Sequence, residues 1–73
     1  MNEIPTFLSS KKIYNYRFYD IHIYTDIIDY RCECKVEIYK SGCTRKVLAY
    51  NEFGNFQTCY HWSIDWINSR DIK

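Results

Sequence analysis

The sequence predicts an α+β domain: a three-stranded antiparallel β-sheet, with room for a fourth short strand, and one C-terminal α-helix packed on one face. Three observations carry this. Tyr30, Cys32, Cys34, Val36 and Ile38 alternate with Arg31, Glu33, Lys35, Glu37 and Tyr39, the period of a strand with one dry face and one wet face. Ser41-Gly42 follows as a hairpin turn. Cys59, Trp62, Ser63, Trp66 and Ile67 then recur at i, i+3, i+4, i+7 and i+8, one continuous helical face.

Taken in order, residues 1–12 read as an N-terminal arm and 13–73 as a single β-β-β-α domain. Pro5 and Ser9-Ser10 discourage regular structure in the arm, with a helical turn after Pro5 as an alternative and Phe7 and Leu8 as anchors. Over 13–25, Tyr14, Tyr16 and Phe18 alternate on one face. The phase then slips, and Tyr19, Ile21 and Ile23 carry the apolar positions onward. One bulged strand explains the slip, and a tight turn splitting it into two strands is the other reading. The bulge is preferred because no Gly, Pro or Asn-Gly marks a turn there.

Thr25-Asp26-Ile27-Ile28-Asp29 reads as the next connection. After the strand over 30–40, residues 43–51 return as the third. A two-residue loop sets Val36 opposite Val47 and Cys34 opposite Ala49; a three-residue loop sets Leu48 and Tyr50 inward instead. Residues 58–70 form the helix, with Thr58 as its N-cap. Small Cys59 and Ser63 let it sit close to the sheet while Trp62 and Trp66 fill the flanks, and Asp71-Ile72-Lys73 read as a frayed end.

Size and composition bound the function. The chain has 73 residues, eight of them Tyr, four Phe and two Trp. So short a chain has a thin core, and large rings help to fill it. Little room remains for a catalytic cleft of ~300 Å³ or more. Ten basic and nine acidic side chains give net charge +1, so neither a strongly basic nucleic-acid footprint nor an acidic nucleic-acid mimic is expected. The start, Met1-Asn2-Glu3-Ile4-Pro5, lacks the pattern of a secretory signal, and no apolar run is long enough for a bilayer. The expectation is a cytoplasmic protein with reduced cysteines, no membrane partner and no cofactor.

Four groups of residues compete for a role. The first is cysteine: Cys32-x-Cys34 and Cys59-Tyr60-His61 suggest zinc by type. Residues i and i+2 of a helix point ~200° apart, and free thiols serve as small apolar fillers, so core thiols are favoured and no metal site is expected. The second is histidine: His22 beside Asp20 and His61 on the helix flank read as surface or half-buried, with no nucleophile motif beside them. With no catalytic residue to nominate, the chain is not expected to be an enzyme. The third is a basic set, Arg31, Lys35, Lys40, Arg45 and Lys46, with Tyr39 as a stacking ring. Glu33 and Glu37 share its strand face, so cross-strand pairing on a solvated surface is the simpler reading. The fourth is outward aromatic and aliphatic side chains: Tyr24, Ile27, Ile28, Tyr39 and Tyr60 are the candidates for contacting a protein.

The segment from Gly54 to Ile67, with Phe56-Gln57-Thr58 leading into Cys59-Tyr60-His61-Trp62-Ser63-Ile64-Asp65-Trp66, resembles the end of three-stranded-sheet-plus-helix DNA-binding domains. These are the arm-binding domains of tyrosine recombinases and the AP2-type domains. That resemblance, over roughly residues 30–70, implies a sheet placed in the major groove, and the near-neutral charge departs from it. In size and Tyr/Ile/Lys/Asn usage the chain also resembles small phage and mobile-element proteins, including anti-CRISPR and other anti-defence inhibitors, which implies a host protein complex as partner. The leading expectation is therefore a small non-catalytic protein-binding module of that inhibitory kind. The alternative is a small nucleic-acid-binding domain. A homodimer through the open sheet edges is a further expectation.

Overall fold

Five elements follow one another along the chain: β1 (Phe7–Tyr16), β2 (Tyr19–Ile28), β3 (Arg31–Lys40), β4 (Ala49–Phe53) and α1 (Phe56–Asp71). This computed structural model describes residues 7–71. The strands form one antiparallel sheet in the order β1-β2-β3-β4, and α1 packs on one face against β2, β3 and β4. The α+β architecture and its fourth short strand are those the sequence predicts.

Two turns set the sheet. Arg17 and Phe18 have φ of 49° and 70°, and Asp29 and Tyr30 have 50° and 68°. A positive φ at both central residues is the two-residue hairpin geometry that matches strand twist. The first turn corrects the single bulged strand expected over 13–25: Tyr16 pairs with Tyr19, and β1 runs back to Phe7 beside β2. Residues 7–12 thus belong to β1 rather than to an arm. The helical turn considered after Pro5 is not found from Phe7 on, where the backbone is extended strand. The anchoring expected of the Phe7 and Leu8 side chains, and residues 72 and 73 of the frayed end, lie outside the described residues. The second turn corrects the connection expected over Thr25–Asp29, because Thr25 to Ile28 are paired strand residues.

The third hairpin differs from both registers expected. Ser41-Gly42 does turn, with Gly42 at φ 79° and a bridge between Lys40 and Cys43. The continuous ladder, however, pairs Ile38 with Ala49, Val36 with Asn51 and Cys34 with Phe53. Residues 44–48 are looped out, and Val47 and Leu48 are exposed. An even-numbered slip leaves side-chain parity intact, so Ala49 still faces inward as the two-residue loop predicts, but opposite Ile38 rather than Cys34.

The core lies between α1 and the centre of the sheet. Ile21, Ile23, Cys34, Val36, Ile38, Cys59 and Ile67 form one buried cluster. A buried isoleucine contributes about 1.5–3 kcal/mol through its area alone. Ser63 is fully buried, and its hydroxyl donates to the Cys59 carbonyl at 2.8 Å, which satisfies the polar group within the helix. With Cys59 and Ser63 at the contact, Trp62 packs outward against Phe53 and Trp66 against Tyr19. The helix begins two residues before the expected start. Asn55 Oδ1 accepts the Thr58 amide at 2.8 Å, so Asn55 is the N-cap, and Thr58, expected there, is the third residue of the helix.

Candidate functional site

With α1 on one side, alternation along the strands assigns every second residue to the other, uncovered side. Cross-strand register places there Lys11, Ile13 and Asn15 of β1, Asp20, His22, Tyr24 and Asp26 of β2, Arg31, Glu33, Lys35, Glu37 and Tyr39 of β3, and Tyr50 and Glu52 of β4. Five carboxylates, Asp20, Asp26, Glu33, Glu37 and Glu52, share this face with three cations, Lys11, Arg31 and Lys35. Asp26 stands directly opposite Glu33 in the ladder, an unfavourable like-charge pair.

Aromatic groups organise the middle of the face. The Tyr24 and Tyr39 hydroxyls both donate to Glu37 Oε1, at 3.1 and 2.8 Å. The Tyr50 hydroxyl donates to Glu52 Oε2. Each glutamate therefore keeps its second oxygen for another donor. The hydrogen bond to Glu37, with burial beside it, pushes the Tyr39 phenol up to about 12. The bond to Glu52 does the same for Tyr50, also to about 12. Lys11 Nζ lies 5.2 Å from the centre of the Tyr24 ring, within cation–π range.

His22 corrects an expectation. It is not a surface or half-buried residue but only 7% exposed, with its ring centre 4.6 Å from that of Tyr39. Its Nδ1 is buried without a hydrogen-bond partner. Burial, then the charge of Lys11, lowers its pKa below the ordinary 6.5. Sequence gave no signal for this, because the ring packed against His22, that of Tyr39, comes from the next strand.

The nominated protein-contact residues separate. Tyr24 and Tyr39 meet on the uncovered face, although Tyr39 is itself buried. Ile28, 40% exposed, lies at the end of that face, whereas Ile27 is half-buried on the helix side. Tyr60 is not an outward residue: it packs 5.4 Å from Tyr14 and stacks on Phe56. Ile13 (55% exposed) and Tyr50 (48% exposed) were missed and are the open hydrophobic area near the Tyr–Glu cluster. Alternation alone could have found Ile13, since it is out of phase with Tyr14 and Tyr16.

The nominated basic residues do not form one patch. Arg31 and Lys40 are at opposite ends of β3, about 30 Å apart at strand rise. Lys35 lies between Tyr24 and Glu52 in the ladder. Lys40, Arg45 and Lys46 are exposed at the end of the sheet near the Arg17-Phe18 turn. There the Ser41 amide bonds the Phe18 carbonyl at 2.9 Å, and Asn15 Nδ2 bonds Asp20 Oδ1 at 3.0 Å and Ser41 Oγ at 3.1 Å. Arg70, over Trp66 at 4.4 Å, comes from the C-terminal end of α1.

The thiols sit on the helix side. Cys34 and Cys59 are buried, and Cys32 and Cys43 are exposed. Cys32 Sγ lies 3.9 Å from Cys34 Sγ, and burial pushes the Cys59 thiol up to about 11. Cys59 faces the core while His61 faces out, as helical geometry requires of i and i+2. Among the described residues no group of three His, Cys, Asp or Glu side chains is placed to hold a metal ion. An open groove of about 490 Å³ runs beside α1 and the end of β4, with Phe53 and Trp62 in its wall and Thr58, His61 and Asp65 along it. It is more space than the sequence led us to expect.

No helix among the described residues is long and apolar enough to cross a membrane. Comparison with protein-family models, with curated proteins and with solved structures finds no match for this chain.

Proposed function

We propose that the chain is a small protein-binding module that docks through the uncovered face of its sheet. The observation that carries this reading is the combination on that face of exposed Ile13 and Tyr50 with the tyrosine-buttressed carboxylates Glu37 and Glu52. Apolar area surrounded by oriented polar groups is the make-up of a protein interface. The excess of carboxylates argues against nucleic acid on this face, because phosphate contacts need cations. A finer form of the same proposal is an inhibitor, encoded by a phage or mobile element, that works in the host cytoplasm by covering a surface of a host complex. The small size and Tyr-rich face support it.

A photo-crosslinking amino acid at Tyr50 tests the reading, with the same group at Gln57 beside the groove as control. Protein adducts from position 50, absent from position 57, are the expected result. Adducts from position 57 alone would overturn it.

A second reading keeps nucleic acid as partner and rests on one observation: Lys40, Arg45 and Lys46 are exposed at the end of the sheet that also carries the Arg17-Phe18 turn. Affinity for labelled DNA that falls steeply with salt and is lost in Arg45→Ala/Lys46→Ala would favour it.

A further inference from the structure

Resting on the docking reading above, we infer that the occupant of the uncovered face is an extended, arginine-bearing segment of a partner protein, with arginines four residues apart lying along β3.

Charge sets the sign. Five carboxylates against three cations leave the face net acidic, and Asp26 and Glu33 oppose each other directly in the β2–β3 ladder. Like charges at directly opposed positions cost stability in the free protein. A cation placed between them removes that cost, so part of the binding energy is prepared by the fold. The second anionic spot is Glu37, whose Oε2 is not used by its two tyrosines; Glu52, diagonal to it, adds negative charge, partly offset by Lys35 directly across.

Spacing sets the geometry. Glu33 and Glu37 are four residues apart on β3, so their side chains point the same way about 13 Å apart. An extended partner has the same rise, and its residues i and i+4 also share one face. Guanidinium suits both spots better than ammonium: its planar fork pairs with carboxylate oxygens and stacks on tyrosine rings. The exposed ring of Tyr50 is beside the second spot, directly across from Glu37 and diagonal to Lys35 and Tyr39.

His22 is an independent mark of the same place. Its side chain is more than nine-tenths buried, lies across the ladder from Glu37, and holds an Nδ1 that nothing in the fold satisfies. Buried polar groups in folded proteins nearly always have a partner, so the centre of this face retains an unmet polar demand next to the carboxylate proposed to receive the cation.

The test uses fluorescein-labelled nine-residue peptides of Thr and Val carrying two arginines, spaced i/i+4 in one and i/i+3 in the other, with fluorescence anisotropy as readout. The i/i+4 peptide is expected to bind at least fivefold more tightly than the i/i+3 peptide, whose arginines fall on opposite faces. Asp26→Asn/Glu37→Gln is expected to weaken it at least tenfold, and Asp65→Asn, in the groove beside α1, to change it less than twofold. Asp26→Asn alone is expected to raise the melting temperature while weakening the peptide, so its binding loss is not an unfolding artefact. Equal binding of the two spacings, an Asp65→Asn loss as large as that of the double variant, or no binding of either peptide would overturn the inference. If the crosslinker at position 50 nevertheless captures a neutral or acidic protein segment, only the cationic occupant fails and the docking face stands; if neither test gives a signal, both fail.

Discussion

The hydroxyl of Tyr39 donates to the carboxylate of Glu37, two residues earlier on the same strand face, at 2.8 Å. Ionising the phenol would turn a hydrogen bond into a repulsion between two anions. Tyr39 and Tyr50, each raised to about 12, should therefore be late to titrate. Absorbance at the phenolate wavelength should show two phenols ionising near pH 12. Glu37→Gln should bring Tyr39 back toward 10; an unchanged curve would show that the hydrogen bond is not its cause.

His22 makes stability depend on pH. Its folded pKa lies below the ordinary 6.5 because burial, and next Lys11, disfavour the charged ring, while Asp20 and Glu37 offset part of this. The unfolded chain then binds the proton more readily than the folded one. Stability from this group is complete above about pH 6.5 and declines as pH falls toward the folded pKa. Urea midpoints measured at pH 7.5 and 5.5 should drop, and His22→Phe should flatten the difference. A midpoint that rises on acidification would contradict the sign.

Asn55 and Thr58 separate the observed cap from the expected one. Asn55→Ala removes the acceptor for the Thr58 amide and should cost about 1 kcal/mol. Thr58→Ala leaves that bond in place and should cost much less. Denaturant titration of the two variants decides the assignment.

Phe18 and Tyr30 hold left-handed φ with side chains 81% and 93% exposed. Glycine adopts this conformation without the Cβ penalty. Phe18→Gly and Tyr30→Gly should each stabilise the protein by about 0.5–1 kcal/mol, the lost rings having little packing to forfeit. A destabilised variant would mean that the ring is held by contacts in solution.

Burial orders the thiols. With a disulfide reagent at pH 8, exposed Cys43 and Cys32 should react before buried Cys34 and Cys59. The Cys59 thiol, raised to about 11 by burial, should react only through opening of the helix–sheet contact. Its rate should then follow stability across the variants above.

The helix and the central strand were legible because their signals are local and periodic. Cys59, Ser63 and Ile67 at helical spacing face Cys34, Val36 and Ile38 at strand spacing, and both sets are buried. The first two turns were illegible because Arg17-Phe18 and Asp29-Tyr30 adopt backbone angles that their side chains do not advertise. The register of β4 was illegible for a different reason: Ser41-Gly42 announces a turn but not the five residues looped out after it. Of the candidate site, the outward placement of Tyr24 and the alternation of Glu33, Lys35 and Glu37 were readable along single strands. The Tyr39–Glu37–Tyr24 cluster, the buried His22 and the separation of Arg31 from Lys46 depend on which strands become neighbours.

The pairing of Lys40 with Cys43, followed by the pairing of Ile38 with Ala49, has an evolutionary corollary. Residues 44–48 lie outside the ladder, so a codon gained or lost among them changes the loop and leaves Ala49 opposite Ile38. A codon gained or lost within β4 would instead turn the rest of that strand over and bring outward side chains under the helix. Natural length variation should therefore collect in the loop and spare the strand.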